Sequence, residues 1–423
     1  MTLTIIRGWI FLVLASLLAL GWLWKTIQWM LHFSELDNLN LIPPDSLPVL
    51  ANPVLTSPAL TSPILKDIEA PHLTVVVPAC NEEASIEATL RSLLASEGVR
   101  LQIIAVNDRS TDSTGAIISR IEAEVGSGTG GHTLQALHIQ VLPEGWLGKP
   151  HALACAAELA RADWILFTDG DVFFAPQTMT LALRYALGRP SDHLGSDHLV
   201  LMPEFVMKTV GEAAMFGAIY ALSIWTVRLW RVADPKARDF IGVGAFNLVR
   251  RSTYEALGGF GALHMEVLED LCFGWKLKHA GYRQRVVLGP GLASVRWSHG
   301  AWGVVRNVEK NMFALYRYKV PVTLLACLGF AIQIVLPIAA IIAGGWARVA
   351  GIATYLAITA LYSASRKYTR VPPAYVLLYP LAASLLLFAM LRSMILALVR
   401  GGVIWRGTLY PLKNLRAHAG KFW

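Results

Sequence analysis

The pattern of apolar and polar residues divides the chain into a long mixed middle part and apolar segments at both ends. Residues 8–24 are uncharged and almost wholly apolar, and three further apolar segments follow late in the chain, at 322–346, 349–365 and 375–399. A membrane-spanning helix needs about 20 predominantly apolar residues. The pattern therefore predicts transmembrane helices at both ends, with a soluble insert of roughly 290 residues between them, enough for one large domain.

The first apolar segment lies between Arg7 and Lys25 and has Trp22, Trp24 and Trp29 at its far end, as expected of interfacial anchors. A cleaved signal peptide is the competing interpretation, but the apolar run continues into Trp-rich sequence without a small-x-small cleavage site. We expect residues 1–31 to be a transmembrane anchor. Residues 32–70, rich in Pro, Ser and Leu, are predicted to be a linker.

Within the insert, short β-branched runs alternate with segments of helical apolar spacing. Strands are predicted at 73–78, 101–106, 137–142 and 164–167, and helices at 84–95, 113–125 and 149–159. Repeated strand-helix alternation predicts an α/β domain with a mostly parallel sheet. In open sheets of this kind, ligands bind beyond the carboxyl ends of the strands.

Two segments later in the insert have a less definite pattern. Residues 191–199 contain a short duplication, which we interpret as a lengthened loop before a strand at 199–202. Residues 204–230 are densely apolar and aromatic. They fit either helices of a packed core or an amphipathic element at the bilayer surface, with Arg228 and Arg231 at the level of the headgroups.

Composition supports a membrane protein. Hydrophobic residues make up 55% of the chain, charged residues only 16%, and the mean hydropathy is +0.49. The net charge of +8 is spread along the chain without interleaved aromatic stacking residues, so nucleic acid is not an expected partner. Basic clusters at 366–370 and 400–421 suit either anionic lipid headgroups or plain solubilising charge. The four cysteines have no zinc-site spacing.

The predicted turns at the carboxyl edge of the sheet carry an unusual amount of charge. They contain Asn81-Glu82-Glu83, the segment 107–112, Gly148-Lys149-Pro150-His151 and Asp169-Gly170-Asp171. The last turn places two carboxylates directly after a buried strand. Mg²⁺ is usually held by one or two protein carboxylates together with substrate phosphates. An ordinary Asp-Gly turn is the alternative interpretation of this tripeptide.

These motifs, together with Leu268-Glu269-Asp270, resemble the family-2 inverting glycosyltransferases and their GT-A nucleotide-sugar-binding fold. The resemblance covers roughly residues 71–300. Residues 145–153, Gly-Trp-Leu-Gly-Lys-Pro-His-Ala-Leu, are similar to the membrane-anchored bacterial subgroup that includes hopanoid-, carotenoid- and ceramide-type glycosyltransferases. The resemblance implies an α/β domain of the GT-A type with transmembrane helices at both ends.

The resemblance also implies roles for single residues. The nucleotide-binding residues would be Pro78, Glu82, Asp108, Lys149 and Asp169. Glu82 and Asp108 would accept hydrogen bonds from the base and ribose, although capping of the following helices is an alternative for Asp108. Lys149 would approach the diphosphate, or it would be a solvated surface lysine.

For a divalent cation, Mg²⁺ or Mn²⁺, the resemblance implies Asp171 as the ligand. Asp169 would contact ribose or metal-bound water, and His299 would be an additional metal or phosphate contact, although a lone histidine is more often structural. The catalytic base would be Asp270, at the start of a predicted helix, where complementing the helix dipole is an alternative role for an acid. The donor or acceptor pocket would be formed by Gly242, Gly244, Glu269 and Trp275.

The function expected from this resemblance is metal-dependent, inverting transfer of a sugar from a nucleotide diphosphate sugar to a hydroxyl of a lipid-like acceptor at the membrane. Processive members of the family carry Gln-x-x-Arg-Trp before the membrane spans, whereas residues 303–307 read Gly-Val-Val-Arg-Asn. Single-sugar transfer is therefore favoured over a processive polysaccharide synthase with a degenerate motif. A non-catalytic nucleotide-binding membrane protein is the third hypothesis.

The last part of the chain leaves the membrane topology open. We expect an interfacial segment at 301–321, about three transmembrane helices at 322–400 and a basic tail at 401–423. Nucleotide sugars are cytoplasmic, so the soluble domain should be too, and three spans after it would place the basic tail outside. Either the last apolar segment is re-entrant or interfacial, or the positive-inside tendency fails here.

Overall fold

The computed structural model describes residues 2–50, 71–126, 131–188 and 195–420. The described part forms two compact units. A sheet unit consists of Leu36–Val206, Leu229–Arg296 and His418–Trp423, and a helical unit consists of Met1–Glu35, Met207–Arg228 and Trp297–Ala417. Most of the duplication at 191–199 and residues 51–70 of the predicted linker lie outside the described residues.

The sheet unit contains ten strands and six α-helices among its described residues. The strands are β1 (Leu73–Ala79), β2 (Leu101–Asp108), β3 (Thr133–Ile139), β4 (Trp164–Phe167), β5 (Val172–Phe174), β6 (His198–Leu201), β7 (Glu204–Phe205), β8 (Asn247–Arg250), β9 (Gln284–Val287) and β10 (Ala293–Val295). The helices are α2 (Ile86–Leu94), α3 (Thr114–Gly126), α4 (Gly148–Ala157), α5 (Thr178–Leu187), α7 (Arg251–Ala256) and α8 (Glu269–His279).

Seven of these strands form the central sheet, in the order β3-β2-β1-β4-β8-β6-β9. Strands β1, β2, β3 and β4 are parallel, and β6 is parallel to β9, whereas β8 is antiparallel to both β4 and β6. The predicted α/β class with a mostly parallel sheet is therefore confirmed. The chain leaves β1 toward β2 on one side and returns as β4 on the other, and a crevice for ligands forms at such a change of direction.

The strand predicted at 137–142 has the least accurate boundaries, because β3 begins and ends earlier, at Thr133 and Ile139. Its position follows from its pairing with β2, which runs from Thr133 opposite Gln102 to Ile139 opposite Asp108. As an edge strand it is only partly buried, with three exposed, two half-buried and two buried residues. Its first residues, at 133–136, are largely outside the core, so the segment at 137–142 indicated only the second half of the strand.

Residues 36–50 belong to the sheet unit and pack against the rest of that unit. Leu39 and Leu47 are buried in the core on one face of the sheet. The Leu39 backbone N–H donates to the carbonyl oxygen of Leu288 at 2.9 Å. Arg184 donates from its guanidinium to the carbonyl oxygens of Pro44 and Leu47, at 2.5 and 2.7 Å. The first part of the Pro- and Leu-rich segment is thus folded.

The helical unit contains the remaining elements. Its helices are α1 (Thr2–His32), α6 (Val210–Ser223), α9 (Gly300–Leu315), α10 (Val320–Ala343), α11 (Gly345–Thr369), α12 (Tyr379–Val399) and α13 (Leu412–His418), and its strands β11 (Gly402–Trp405) and β12 (Thr408–Pro411) form a hairpin. Among the described residues, four helices are long and apolar enough to cross a membrane: α1, α10, α11 and α12 with the turn before it. One is near the amino terminus and three follow the sheet unit, as the hydropathy pattern predicts.

The apolar segment at 204–230 forms α6, which is an apolar helix of 14 residues. Thr209 caps it by accepting a hydrogen bond from the Glu212 N–H at 3.2 Å, and the Glu212 carboxylate accepts from the Thr209 N–H at 3.2 Å. Glu212 also accepts a hydrogen bond from the Gly300 N–H at 2.7 Å, at the start of α9. Most of α6 is buried within the helical unit, so core packing explains its apolar composition.

Candidate active site

A cleft in the sheet unit brings together several of the predicted site residues. It contains about 200 Å³ of empty space, which includes space open to solvent. The cleft is lined by Lys149, Leu153, Phe167, Thr168, Gly244, Asn247, Phe260, Glu269 and Asp270. These residues come from the end of β4, from α4, from the loop before β8 and the first residue of β8, from the 3-10 turn at Phe260–Leu263 and from the start of α8. Residues that are more than 100 positions apart in the sequence therefore share one cleft.

Two glycines allow the loop before β8 to pack directly against α8. A Cβ at Gly242 would collide with the backbone carbonyl oxygen of Asp270. A Cβ at Gly274, on the next turn of α8, would collide with the carbonyl oxygen of Ile241. Glycine has no Cβ and so permits such close backbone approach. This packing sets the first turn of α8 against the segment 241–244.

The carboxylate of Asp270 is held by two backbone N–H groups. Gly244 donates to its Oδ2 at 2.7 Å, and Leu271 donates to its Oδ1 at 2.7 Å. Burial and the nearby Glu269 carboxylate raise the pKa of Asp270 to about 6, while Lys149 and the Leu271 hydrogen bond act in the opposite direction. Asp270 is thus a fixed carboxylate that is ionised at neutral pH and titrates close to it.

Lys149 connects the turn after β4 with the start of α8. Its Nζ lies 2.6 Å from Oδ1 of Asp169 and 2.7 Å from Oε1 of Glu269. The charges of these carboxylates and of Asp270 hold the pKa of Lys149 well above its usual value, although burial acts against them. Glu269 is buried, so this ion pair supplies the countercharge that a buried carboxylate needs.

The turn after β4 carries Asp169 and Asp171. Its Thr168 hydroxyl donates to the carbonyl oxygen of Ala245 at 2.7 Å, which fixes the turn to the loop before β8. A Cβ at Gly170 would lie only 3.3 Å from the carbonyl oxygen of Pro78, the residue predicted to contact the nucleotide. The turn therefore packs against the end of β1, as expected for neighbouring parallel strands.

Burial and the charges of Asp169 and Glu82 raise the pKa of Asp171 to about 7, and Lys149 acts against this shift. Three carboxylates thus concentrate negative charge at this edge, which favours a bound cation. Among the described residues, no group of three or more His, Cys, Asp or Glu side chains is arranged as a metal site. Mg²⁺ needs only one or two protein carboxylates when phosphate oxygens supply further ligands, so the Asp169-Gly170-Asp171 turn fits it.

The turns after β1 and β2 are fastened to each other by reciprocal hydrogen bonds. The Oδ1 of Asn81 accepts from the Thr111 N–H at 2.8 Å, and the Glu83 N–H donates to Oδ2 of Asp112 at 3.1 Å. In return, Oε2 of Glu83 accepts from the Ser113 N–H at 3.0 Å. Asn81 has a φ of 57°, a left-handed conformation that asparagine tolerates better than most residues. These polar residues hold two loops together at the rim.

Asp108, at the end of β2, is buried and paired with the residue that follows it. Arg109 donates to both of its carboxylate oxygens, at 2.7 and 3.1 Å. Arg109 has a φ of 55°, which turns its guanidinium back over Asp108. A Cβ at Gly148 would lie 2.6 Å from both side chains, so glycine is needed for the start of α4 to pack against this pair.

Comparison with known proteins identifies the family of the segment that carries Lys149, Asp169 and Asp171. Residues 74–255 match the model of Glycosyl transferase family 2. The chain carries a family-2 glycosyltransferase domain. The predicted family is therefore confirmed.

Curated relatives of this chain include the 4,4'-diaponeurosporenoate glycosyltransferase of Staphylococcus aureus strain MRSA252, which is 26% identical over 208 residues, 48% of this chain and 50% of the relative. The chain spans about half the length of the curated relatives it matches. Among solved structures, the chain is similar to the mannosyltransferase PcManGT from Pyrobaculum calidifontis in complex with GDP-Man and Mn²⁺, with 17% identity, a TM-score of 0.49 and coverage of 91% of this chain and 99% of that one. It is also similar to S. aureus TarS 1-349 in complex with UDP-GlcNAc, with 14% identity, a TM-score of 0.38 and coverage of 80% and 95%.

The residues that line the cleft do not include eight of the predicted site residues: Pro78, Glu82, Asp108, Asp169, Asp171, Gly242, Trp275 and His299. Trp275 is on α8 and its ring lies 4.3 Å from the ring of His279, among partly buried apolar residues. His299 belongs to the helical unit, where it directly precedes α9. The role of each in ligand binding stays a prediction.

Sequence reasoning assigned no role to several residues that shape the site. Thr168 and Phe260 line the cleft, and Arg109 pairs with Asp108. For Arg109 a signal existed, because a basic residue directly after a strand-end aspartate can fold back on it. Phe260 follows β8 in the chain, and the antiparallel pairing of β8 with β4 is a long-range feature that a local pattern does not indicate.

Proposed function

We propose that the chain transfers one sugar from a nucleoside diphosphate sugar, with inversion, to a hydroxyl group of a lipid-like acceptor at the membrane. The observation that carries the proposal is the Asp270 carboxylate, fixed by two N–H groups in a cleft that it shares with Lys149, whose Nζ lies 2.6 Å from Asp169. Lys149 and Asp169 lie within the segment that matches the family-2 model. The S. aureus relative is named for glycosylating a carotenoid acid, and the chain has four apolar helices among its described residues. Both favour an apolar acceptor.

Asp270 would act as the general base. Inverting displacement needs a group that takes the proton from the attacking hydroxyl within hydrogen-bond reach. The two backbone donors fix the orientation of the carboxylate, and each carboxylate oxygen retains a further lone pair for the hydroxyl. With a pKa of about 6, Asp270 is ionised at neutral pH but retains more basicity than an ordinary aspartate.

The remaining acids and Lys149 would bind the donor. Asp171, with Asp169, would hold Mg²⁺ or Mn²⁺, and the bound cation would neutralise the charge that develops on the departing diphosphate. Lys149, near the amino end of α4, would contact the same diphosphate while it balances Asp169 and Glu269. Pro78, Glu82 and Asp108 would line the nucleoside site, with the Arg109 guanidinium as an additional planar group.

Transfer would be non-processive, since the sequence lacks Gln-x-x-Arg-Trp before α10. A processive synthase would release products of many sugar units. A non-catalytic nucleotide-binding protein would bind donor without consuming it. Product length and donor consumption therefore separate the three functions.

The test uses the full chain in lipid nanodiscs with a panel of labelled nucleoside diphosphate sugars, a lipid extract and Mn²⁺ or Mg²⁺. We expect one apolar product that carries a single sugar, loss of transfer after chelation, and recovery on adding the cation back. Asp171→Asn should require at least tenfold more cation for half-maximal rate. Asp163→Asn, a surface variant whose carboxylate is 68% exposed, is the matched control.

Two outcomes would contradict the proposal. Full activity in the presence of excess chelator would show that the transfer does not require a divalent cation. Water-soluble polymeric product, with no change in the lipid fraction by mass spectrometry, would replace single-sugar transfer by the processive alternative.

A further inference from the structure

The course of the chain through the helical unit follows from the contacts between its helices. Helices α1 and α11 run in the same direction, because their contacts follow the same order along both. Ala15 shares a cluster with Ala347, Thr26 donates to the carbonyl oxygen of Ala357 at 3.3 Å, and the Phe33 ring lies 4.9 Å from that of Tyr368. Helix α1 ends where the chain enters the sheet unit, at Leu36. Helix α11 therefore ends on that same side of a membrane.

Helix α10 runs antiparallel to α11. Gly344 and Gly345 form the turn between them, with φ values of 83° and 54°. Next to this turn the two helices pack tightly, since a Cβ at Gly351 would lie 2.5 Å from the carbonyl oxygen of Pro337. The α10–α11 hairpin thus leaves the sheet-unit side and returns to it. After two crossings, the chain at Arg370 is again on the side of the sheet unit.

Helix α9 is too short and too polar to cross. It has 16 residues and includes Arg306, Glu309 and Lys310, whereas a span needs about 20 predominantly apolar residues. It directly follows the end of the sheet unit at Arg296 and leads into α10. Because α9 does not cross and leads directly into α10, its carboxyl-terminal end lies at the membrane surface on the sheet-unit side.

Helix α12 lies beside α9 although its composition alone suits a crossing. The Trp302 and Phe388 rings are 5.9 Å apart, and Nε of Arg392 donates to Oε2 of Glu309 at 2.7 Å. The Phe313 N–H donates to Oγ of Ser393 at 3.0 Å. The carboxyl-terminal half of α12 is therefore at the level of α9. A crossing helix that began on the sheet-unit side would instead end beside the turn at Gly344.

The beginning of α12 is also near the sheet-unit side. The Tyr379 ring lies 6.1 Å from that of Trp22. Trp22 is ten residues before the end of α1 at His32, or about 15 Å at 1.5 Å per residue. Half of a hydrocarbon core is about 15 Å. Helix α12 therefore starts no deeper than the bilayer centre and rises to the surface.

The residues after α12 return to the sheet unit. Arg416 donates to the carbonyl oxygen of Tyr318, just before α10, at 3.0 Å. Beyond it, the His418 ring lies 4.8 Å from the His264 ring, and the Gly420 N–H donates to Oε1 of Glu266 at 2.7 Å. These last contacts are within the sheet unit itself. An even number of crossings between Trp297 and His418 is required.

We propose that, of the described helices, α1, α10 and α11 alone cross the membrane. We further propose that α12 rises obliquely within the leaflet facing the sheet unit to meet α9, and that the two form a surface layer that binds the headgroups of that leaflet. The distribution of basic residues fits lipid headgroups as the partner of this layer. Exposed basic residues of the layer and of the segment after it, Arg306, Arg400 and Lys413, lie on the sheet-unit side, together with Arg366 and Lys367 at the end of α11. The opposite side has only Arg7 and Arg348 near the ends of the crossing helices. Anionic headgroups attract such a basic surface.

Labelling with a membrane-impermeant maleimide in spheroplasts tests the three crossings. Three single-cysteine additions are compared with the unmodified chain: Trp346→Cys at the α10–α11 turn, Asp163→Cys in the sheet unit and Lys413→Cys in α13, all at exposed positions. We expect Trp346→Cys to react in intact spheroplasts, and the other two only after permeabilisation. Labelling of Lys413→Cys in intact spheroplasts, or protection of Trp346→Cys, would overturn the proposal.

A depth measurement tests the surface layer without relying on sidedness. A fluorescent label is placed on the exposed positions Leu381, Phe388 or Ile395 of α12 and quenched by lipids brominated at different depths. The proposed layer gives the deepest position at Leu381 and progressively shallower ones toward Ile395. A crossing helix would give its deepest position at Phe388 and shallow positions on either side, which would contradict it. In liposomes that contain a spin-labelled anionic lipid, that lipid should be enriched around the native chain at least threefold more than around Arg306→Gln/Lys413→Gln. Equal enrichment would contradict headgroup binding by this surface.

Discussion

The backbone N–H of Gly244 donates a 2.7 Å hydrogen bond to Oδ2 of Asp270, across the cleft floor between the loop before β8 and the start of α8. The same glycine is in close contact with the opposite side of the site. A Cβ built on it would lie 2.8 Å from Oδ2 of Asp169 and 3.1 Å from Nζ of Lys149. One backbone position therefore sets the spacing between the proposed base, the lysine and the acidic turn.

Replacing this glycine should reduce catalysis more than stability. In Gly244→Ala the methyl group displaces Lys149 or Asp169, and we expect kcat to fall at least tenfold, equivalent to about 1.4 kcal/mol in the barrier. Steady-state kinetics and the thermal unfolding midpoint of the detergent-solubilised protein measure the two effects. Gly261→Ala is the control, because a Cβ there meets nothing within 4 Å. Equal kcat in the two variants would show that the spacing at Gly244 is not critical.

The rate should depend on pH through Asp270. Burial and Glu269 raise its pKa to about 6, so the ionised base is lost as pH falls through 6. We expect kcat/KM to be level above about pH 7 and to fall tenfold per pH unit below 6. Assays at saturating divalent cation keep Asp171, whose pKa is about 7 without a cation, ionised throughout.

Asp270→Asn should abolish this acidic limb and lower the rate by about 10² to 10⁴, the usual contribution of a general base. Donor binding, measured by calorimetry with the nucleoside diphosphate, should change less than threefold, since the substitution keeps the shape of the side chain. An acidic limb that persists in Asp270→Asn would assign the titration to another group.

The sequence was sufficient for the parts of the fold that depend on local pattern. The strand predicted at 73–78 is β1, Leu73–Ala79, and the helix predicted to begin near Asp270 is α8, Glu269–His279. The charged residues of the predicted turns also indicated the edge of the sheet at which the candidate site lies. These features are set by residues within one or two turns of each other, so a single sequence contains them.

The meeting of Lys149, Asp169 and Glu269 could not be derived from local pattern. It depends on β8 inserting antiparallel beside β4, on Gly242 and Gly274 letting the loop pack on α8, and on the buried Glu269 requiring a countercharge. Each of these is a long-range packing constraint. The same limit applies to α12, whose composition suits a crossing whereas its contacts with α9 indicate the membrane surface.

The contributions of Lys149 and Glu269 to the free energy of unfolding should be strongly coupled. Lys149→Met leaves the Glu269 charge buried without its partner, and we expect a loss of about 2–4 kcal/mol in unfolding free energy. Glu269→Gln in the same chain removes that charge and should recover at least half of the loss. Denaturant unfolding of the four proteins of the cycle gives the coupling energy. Additive losses, with no recovery in the double variant, would mean that the 2.7 Å contact carries no net interaction.

Stability should also depend on a buried histidine behind the glycine loop. His198 is buried in β6, where Gln284 donates to its Nδ1 at 2.9 Å and its Nε2 lies 2.8 Å from Oδ1 of Asn247. The orientation of the Gln284 amide is fixed, because its Oε1 accepts from the Ile241 N–H at 2.9 Å. Nδ1 is therefore an acceptor and Nε2 carries the proton. The neutral ring completes the network that supports the loop at 241–244.

Burial lowers the pKa of His198 to about 4, below its ordinary value of 6.5. The unfolded chain thus binds the proton more readily between pH 6.5 and 4, so the stabilisation is complete above pH 6.5 and is lost as pH falls toward 4. At about 1.4 kcal/mol per pH unit, the loss reaches about 3 kcal/mol. We expect His198→Gln to be less stable than the native chain at pH 7 but to lose this part of the pH dependence, whereas His138→Gln, at an exposed position, should retain it. Unfolding midpoints between pH 4 and 8 that fall in parallel for all three proteins would show that His198 does not carry the effect.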